Sequence, residues 1–226
     1  MCSSDLMAKL ESLGLAENTI VLFSSDHGDM LGSHGQRLKR KPWEESIRVP
    51  GIIRWPGRIK AGTESNAIFS HVDFAPTLLG LAGLKPHARM QGRNMADVML
   101  GGRSSADDAA YLAIHGSYLG DDTPGAWRGI RTRTHVYARF QDKPWMLYDI
   151  EKDPYEMRNL VDERAAAPLV REMDKRLAAK MKEVGDSWSN DWTGLPEDAG
   201  RLYRHRAFYT VDEYQEWVKA HPEAAK

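Results

Sequence analysis

The stretch TIVLFSSDHGDMLGSHGQRLKRKPWEESIRVPGIIRWP, residues 19–56, decides how the rest of the chain is read. It opens with an apolar, β-branched run, Ile20 to Phe23, and breaks at once into Asp26, His27, Asp29 and His34. A basic run follows (Arg37, Lys39, Arg40, Lys41), then a second apolar segment, Gly51 to Trp55, bracketed by Pro50 and Pro56. A short apolar run closed by turn residues has the pattern of a buried parallel strand. Open α/β sheets place their ligands just past the carboxyl ends of such strands. Asp26 and His27 stand at that rim, where a turning chain directs adjacent side chains at one ion. Gly28 permits a tight turn, and Asp29 reads as a turn residue.

Upstream, Leu6, Leu10 and Leu13 at helical spacing, stopped by Gly14, predict a helix over Asp5 to Leu13 that feeds a strand over Ile20 to Ser25. Helix, then strand, then site is the grammar of an α/β sheet. Two strands do not make such a sheet, so the missing strands are expected before Met1 and the chain is expected to be a piece of a longer protein. Downstream, Phe74 to Leu84 predicts a helix with Asp73 as N-cap and Pro76 in the first turn, where its missing N–H costs nothing. Residues 95–100 carry a short helical piece, and Gly101-Gly102 marks a boundary. This divides the chain into an α/β part at 1–100 and a small α+β part with an irregular tail at 101–226.

In the second part the period changes. Tyr111–His115, Trp127–Thr132, His135–Phe140 and Trp145–Ile150 are too close together for crossover helices, so antiparallel pairing follows. Leu169, Val170, Met173, Leu177, Met181 and Val184 mark a long amphipathic helix that covers this sheet. Trp127 and Trp145 are expected in the sheet's core. The tail, with Trp188 and Trp192, is irregular, and 212–220 reads as a last short helix.

Composition narrows the function. Apolar residues make up 42% and charged residues 28%, ordinary for a globular domain, and no stretch approaches the roughly 20 apolar residues of a membrane span. A net charge of −1 excludes nucleic acid as the main partner, because neutralising phosphates needs a basic surplus. Cys2 is the single cysteine, which rules out an intrachain disulfide and a Cys-based metal site. His71, Asp73, His115 and His135 read as structural, and Glu44 and Glu45 as partners of Arg48 and the basic run rather than as an acid/base pair.

SSDHGDMLGSHG (24–35), LKRKPWEESIRVPGIIRWPGRI (38–59), SHVDFAPTLLGLAGL (70–84) and LYDIEKDPYEMRNL (147–160) are four ordered motifs. Together they resemble the C-terminal part of the sulfatase family, within the alkaline-phosphatase-like superfamily, over about residues 6 to 185. The resemblance implies an α/β fold with a mainly parallel sheet and flanking helices, plus a small antiparallel sheet packed by a long helix. It implies that Asp26 is a metal ligand and that His27 holds the neighbouring ligand position, which many members fill with Asn. Lys39 matches the catalytic lysine that contacts a sulfate oxygen and steadies the leaving group, and His34 would line the substrate anion site or brace its loop. The implied metal is divalent, Ca²⁺ first, with Mn²⁺ open because imidazole is a softer ligand than an amide oxygen.

The implied substrate is a small-molecule or carbohydrate sulfate ester, hydrolysed with a formylglycine nucleophile made from Cys or Ser in a C-x-P-S-R motif. Cys2 is followed by Ser3, Ser4, Asp5 and Leu6, so that motif is absent, and the nucleophile is expected in a missing N-terminal part. Two other readings stay open: a phosphonate monoester or phosphodiester hydrolase of the same superfamily, and a non-catalytic anion-binding remnant.

Overall fold

A computed structural model describes residues 3–103, 109–115, 125–188, 216 and 219–220. The chain gathers into two compact units, Met1–Trp188 and Ser189–Lys226. Within the second, only residues 216, 219 and 220 of the helix expected over 212–220 are described, and all three are helical. Trp192 lies outside the described residues.

The first unit begins with helix α1 (Ser3–Ser12), ended at Gly14. Strand β1 (Val21–Ser24) follows and pairs with β2 (Gly51–Arg54). The pairing is antiparallel, Val21 opposite Arg54 and Ser24 opposite Gly51, so β1 is not parallel to the one strand it pairs with among the described residues. The cause is the connection: the loop between them leaves and re-enters at the same end of the ladder. Nor is the apolar run uniformly covered, since Phe23 is 50% and Ile52 59% exposed. The one-turn helix α2 (Glu44–Ile47) lies within that connection.

Helix α3 (Phe74–Leu81) starts differently from the sequence expectation. Asp73 closes a 3₁₀ turn, His71–Asp73, as the third residue of a capping box whose N-cap is Ser70. Its buried carboxylate accepts the Ser70 N–H at 3.0 Å, the Arg93 N–H at 2.7 Å and the Arg93 guanidinium at 2.9 Å. A short carboxylate with several donors within reach makes a junction rather than a simple cap. Helix α4 (Ala96–Met99) follows.

The four expected strands are all present: β3 (Ala109–Ile114), β4 (Trp127–Thr132), β5 (His135–Arg139) and β6 (Pro144–Asp149). They form an antiparallel meander in the order β3-β4-β5-β6. Because side chains alternate along a strand, this sheet buries two separate cores. One face presents Ile130, Tyr137 and Leu147 to Met173, Leu177 and Met181 of helix α5 (Ala167–Val184). The fourfold spacing of those α5 residues lines them on one stripe, and Gly185 ends the helix at φ 72°. The other face presents Trp127, Val136, Ala138, Met146 and Tyr148 to Trp43, Ile47 and Trp145. Met173, Met181, Trp127 and Trp145 thus fill the cores as the sequence predicts. That residues 43–47 cover the second face is new.

Arg128 of β4 is fully buried and held by Asp186, just past α5. The Tyr111 hydroxyl donates to the same carboxylate at 2.6 Å, and Arg128 donates to the Ile114 carbonyl at 2.9 Å. Burial by itself raises the Asp186 carboxyl, but the Arg128 and Tyr111 hydrogen bonds win and hold it down at about 2. An unfolded carboxyl titrates near 3.8. The stabilisation is therefore complete above about pH 4 and is lost as pH falls toward 2, roughly 2 kcal/mol in all. Urea unfolding followed by tryptophan fluorescence should show that loss between pH 5 and 2, and Asp186→Asn should flatten it. Equal slopes in both proteins would remove Asp186 as the cause.

Candidate functional site

The site begins where β1 ends. Asp26 is open to solvent, and its Oδ1 accepts the His27 backbone N–H at 3.0 Å. His27 Nδ1 lies 2.7 Å from the Gly28 carbonyl, which can only accept, so Nδ1 carries the proton. In the neutral ring Nε2 is then bare. Lys39 Nζ, 2.7 Å away, donates to that lone pair; in the protonated ring Nε2–H instead faces Asp26 Oδ2 at 3.2 Å. Desolvation opposes ionisation of Asp26, but the adjacent His27, the His27 backbone N–H and the Ser25 hydroxyl hold its carboxyl below the ordinary range.

This donor set fits a divalent ion. Two ligands each about 2.1 Å from one metal stand roughly 3.0–3.4 Å apart, and the Asp26–His27 separation of 3.2 Å falls in that range. A second histidine joins the rim from below: His71 Nε2 donates to the Ser25 carbonyl at 2.6 Å. Its sequence reading as a helix-start residue missed this contact, which spans 46 residues and leaves no local pattern.

Lys39 reaches the site from a loop of unusual backbone. Leu31, His34, Leu38 and Arg40 all take left-handed φ values, 46°, 53°, 63° and 70°. Each such residue costs on the order of 1 kcal/mol or more, and clusters of them persist where surrounding structure holds them. Here the Met30 N–H donates to the Leu38 carbonyl at 2.8 Å and the Gly32 N–H to the Gln36 carbonyl at 2.9 Å, around a fully buried Met30. Asp29 does make a turn, its Oδ1 accepting the Leu31 N–H at 2.9 Å. Gly28 has a different role from the expected turn. Its N–H donates to the Ser46 carbonyl at 2.9 Å, and a Cβ there would lie 1.9 Å from the Glu45 carbonyl oxygen.

The loop is moored to the small sheet. Glu44 accepts both arms of Arg131, at 3.0 and 2.8 Å, a tighter partner than the expected Arg48 at 3.9 Å. Trp127 Nε1 donates to the Arg40 carbonyl at 3.1 Å, one residue from Lys39. Trp43 packs edge-on against Trp145. Glu156, 1% exposed, accepts the Glu44 backbone N–H at 2.8 Å.

His34 is not joined to Asp26, His27 and Lys39 by any described contact. It stacks on Trp43 with ring centres 5.2 Å apart and faces Glu45 at 3.8 Å. His115, one residue past the end of β3, lies 3.0 Å from Arg128, and His135, the first residue of β5, lies 2.7 Å from the Thr134 hydroxyl.

A carboxylate, an imidazole and an ammonium thus converge past the end of β1, beside a helix-covered antiparallel sheet. Residues 32–183 match the family described as N-sulphoglucosamine sulphohydrolase, C-terminal. The chain belongs to the sulfatase family, as its C-terminal part. It is 36% identical over 188 residues to an ulvan-active sulfatase of Formosa agariphila, covering 82% of this chain and 37% of that protein. A solved structure in complex with its substrate D-glucosamine-2-N,6-O-disulfate superposes with a TM-score of 0.76 at 36% identity, over 84% of this chain and 39% of that one. The phosphonate monoester hydrolase of Agrobacterium radiobacter superposes at 0.69 with 26% identity, over 80% and 38%. The chain thus spans under two fifths of the length of such curated relatives.

Two substitutions test how the loop is held. Arg131→Met should cost about 3 kcal/mol by stranding Glu44. It should also speed amide exchange at Gly28, Met30 and Ser46 more than in β4–β6; uniform acceleration would mean that the loop is not moored there. Gly28→Ala should cost on the order of 3 kcal/mol in urea unfolding, since backbone must move to admit the methyl. A loss below about 0.5 kcal/mol would show that the Glu45 carbonyl yields easily.

Proposed function

We propose that this chain supplies the metal-holding and charge-steadying half of a sulfuric ester hydrolase whose whole length includes an upstream part. The observation that carries the reading is the convergence of Asp26 Oδ2 and Lys39 Nζ on His27 Nε2, at 3.2 and 2.7 Å. Residues 1–100 would contribute this rim to the catalytic domain, and 101–226 the small subdomain that braces it.

The chemistry follows from charge. A sulfuryl group in transfer spreads negative charge over its oxygens, so fixed cations placed there stabilise the transition state more than the ground state. A divalent ion, when bound by Asp26 and His27, would supply Lewis acidity at one such oxygen, and a formylglycine on the upstream part would supply the nucleophile. Lys39 offers three N–H donors on a flexible stem, suited to a single oxygen as a point charge. Now directed at His27 Nε2, those donors can turn onto an ester or leaving-group oxygen at the same rim. Asp26 keeps its negative charge into acid because neighbouring donors hold its carboxyl low. The family resemblance points to Ca²⁺ first, with Mn²⁺ as the alternative because imidazole is a softer ligand than an amide oxygen. The substrate class that fits the relatives is a carbohydrate sulfate.

A second reading, phosphonate or phosphate ester hydrolysis, draws on the same Asp-His donor pair and on the phosphonate monoester hydrolase among the structural neighbours. In the longer protein, Lys39→Ala and Asp26→Ala should each lower kcat on an aryl sulfate at least a hundredfold. Parallel assays on a phosphonate monoester should favour the sulfate. Unchanged kcat would remove both residues from the site, and a preference for the phosphonate would decide for the second reading. The 226-residue chain, which lacks the C-x-P-S-R motif, should show no turnover, and measurable hydrolysis would overturn the division of labour.

A further inference from the structure

From the Lys39 loop itself, His34 enters a second group of ligating side chains that the hydrolase reading does not use. His34, Glu45 and Glu156 each bring a ligand atom within 4.8 Å of the other two. They come from three places in the chain: the left-handed turn of the loop, helix α2, and the turn after β6. His34 Nε2 stands 3.8 Å from Glu45 Oε1, and the two side chains are 15% and 31% exposed.

Glu156 is the telling member. It is 1% exposed, and while one oxygen accepts the Glu44 N–H, Oε1 is buried with no hydrogen-bond partner. Glu45 Oε2 is likewise buried and unpartnered. A buried carboxylate oxygen without a donor is costly, and two carboxylates facing each other across a few ångströms cost more. Burial pushes the Glu156 carboxyl up to about 7, with Glu44 and Glu45 adding to the rise and the Glu44 N–H and Arg131 working against it.

We propose that His34, Glu45 and Glu156 form a structural site for a divalent transition-metal ion of the Zn²⁺ class, distinct from the Asp26–His27 rim. One nitrogen and two carboxylate oxygens form a three-ligand set that Zn²⁺ completes with water, whereas Ca²⁺ prefers an all-oxygen shell. Tetrahedral ligands at about 2.1 Å from an ion stand roughly 3.4 Å apart, so closing the site from its present spacing takes shifts on the order of 1 Å. The stacked ring of Trp43 already fixes the imidazole plane, with 21° between the two rings. Such an ion would rivet the loop that carries Lys39 to the small sheet.

The test uses the 226-residue chain carrying Asp26→Ala and His27→Ala, so that the rim cannot bind, titrated with ZnCl₂ by calorimetry at pH 7.5. One Zn²⁺ per chain is expected, with a rise in Tm. Adding Glu156→Gln, which can still accept the Glu44 N–H, should weaken binding at least tenfold and abolish the rise in Tm, and His34→Ala should do the same. Circular dichroism without metal checks that each variant folds. No heat in the parent, or binding that both further variants leave intact, would overturn the site and leave Glu156 as a carboxyl neutralised by a proton. Neither result bears on the sulfatase reading, whose rim residues are absent from every protein in the test.

Discussion

The Lys39 loop depends on one ion pair with its surroundings: Glu44 gripped from both sides by Arg131 of β4, at 3.0 and 2.8 Å. Both charges are mostly withdrawn from water, so the bidentate geometry is what makes their burial tolerable. From this point, the backbone of Glu44 is fixed by Glu156, that of Arg40 by Trp127, and that of Gly28 by Ser46. A chain with four left-handed non-glycine residues in ten does not hold that shape alone. The small sheet is therefore part of the site's scaffold: it sets where Lys39 stands relative to His27.

That arrangement explains why the second sheet has two cores. A meander covered by a helix on one side leaves its other face open, and in this chain the open face meets Trp43 and Ile47. Burying those side chains draws the loop down, and a loop drawn down directs Lys39 at the end of β1. Stability of the subdomain and geometry of the rim are one problem solved by the same residues.

Much of this was legible in sequence. The period-2 strands, the fourfold stripe of α5 and the aromatic cores followed from patterning, because each depends on neighbours close in the chain. Asp26, His27 and Lys39 were legible through their motif and do meet in space. What sequence did not show has one physical character: it is long-range. Arg131 lies 87 residues from Glu44 and Glu156 lies 112 residues from it. The antiparallel pairing of β1 with β2 escaped for a related reason, since an apolar run looks the same in either direction. Gly28 was read as a turn glycine, yet its lack of a side chain answers to a carbonyl from a segment seventeen residues on.

On the reading proposed above, Asp26 and His27 hold a cation while Lys39 faces the anion beside it. Anomalous diffraction from crystals of this chain grown with MnCl₂ and sodium sulfate tests it most directly. A manganese peak is expected within bonding distance of Asp26 Oδ2 and His27 Nε2, with a sulfate oxygen on Lys39 Nζ. A sulfate on Lys39 with no manganese at Asp26 and His27, or no anion near Lys39 at all, would contradict it.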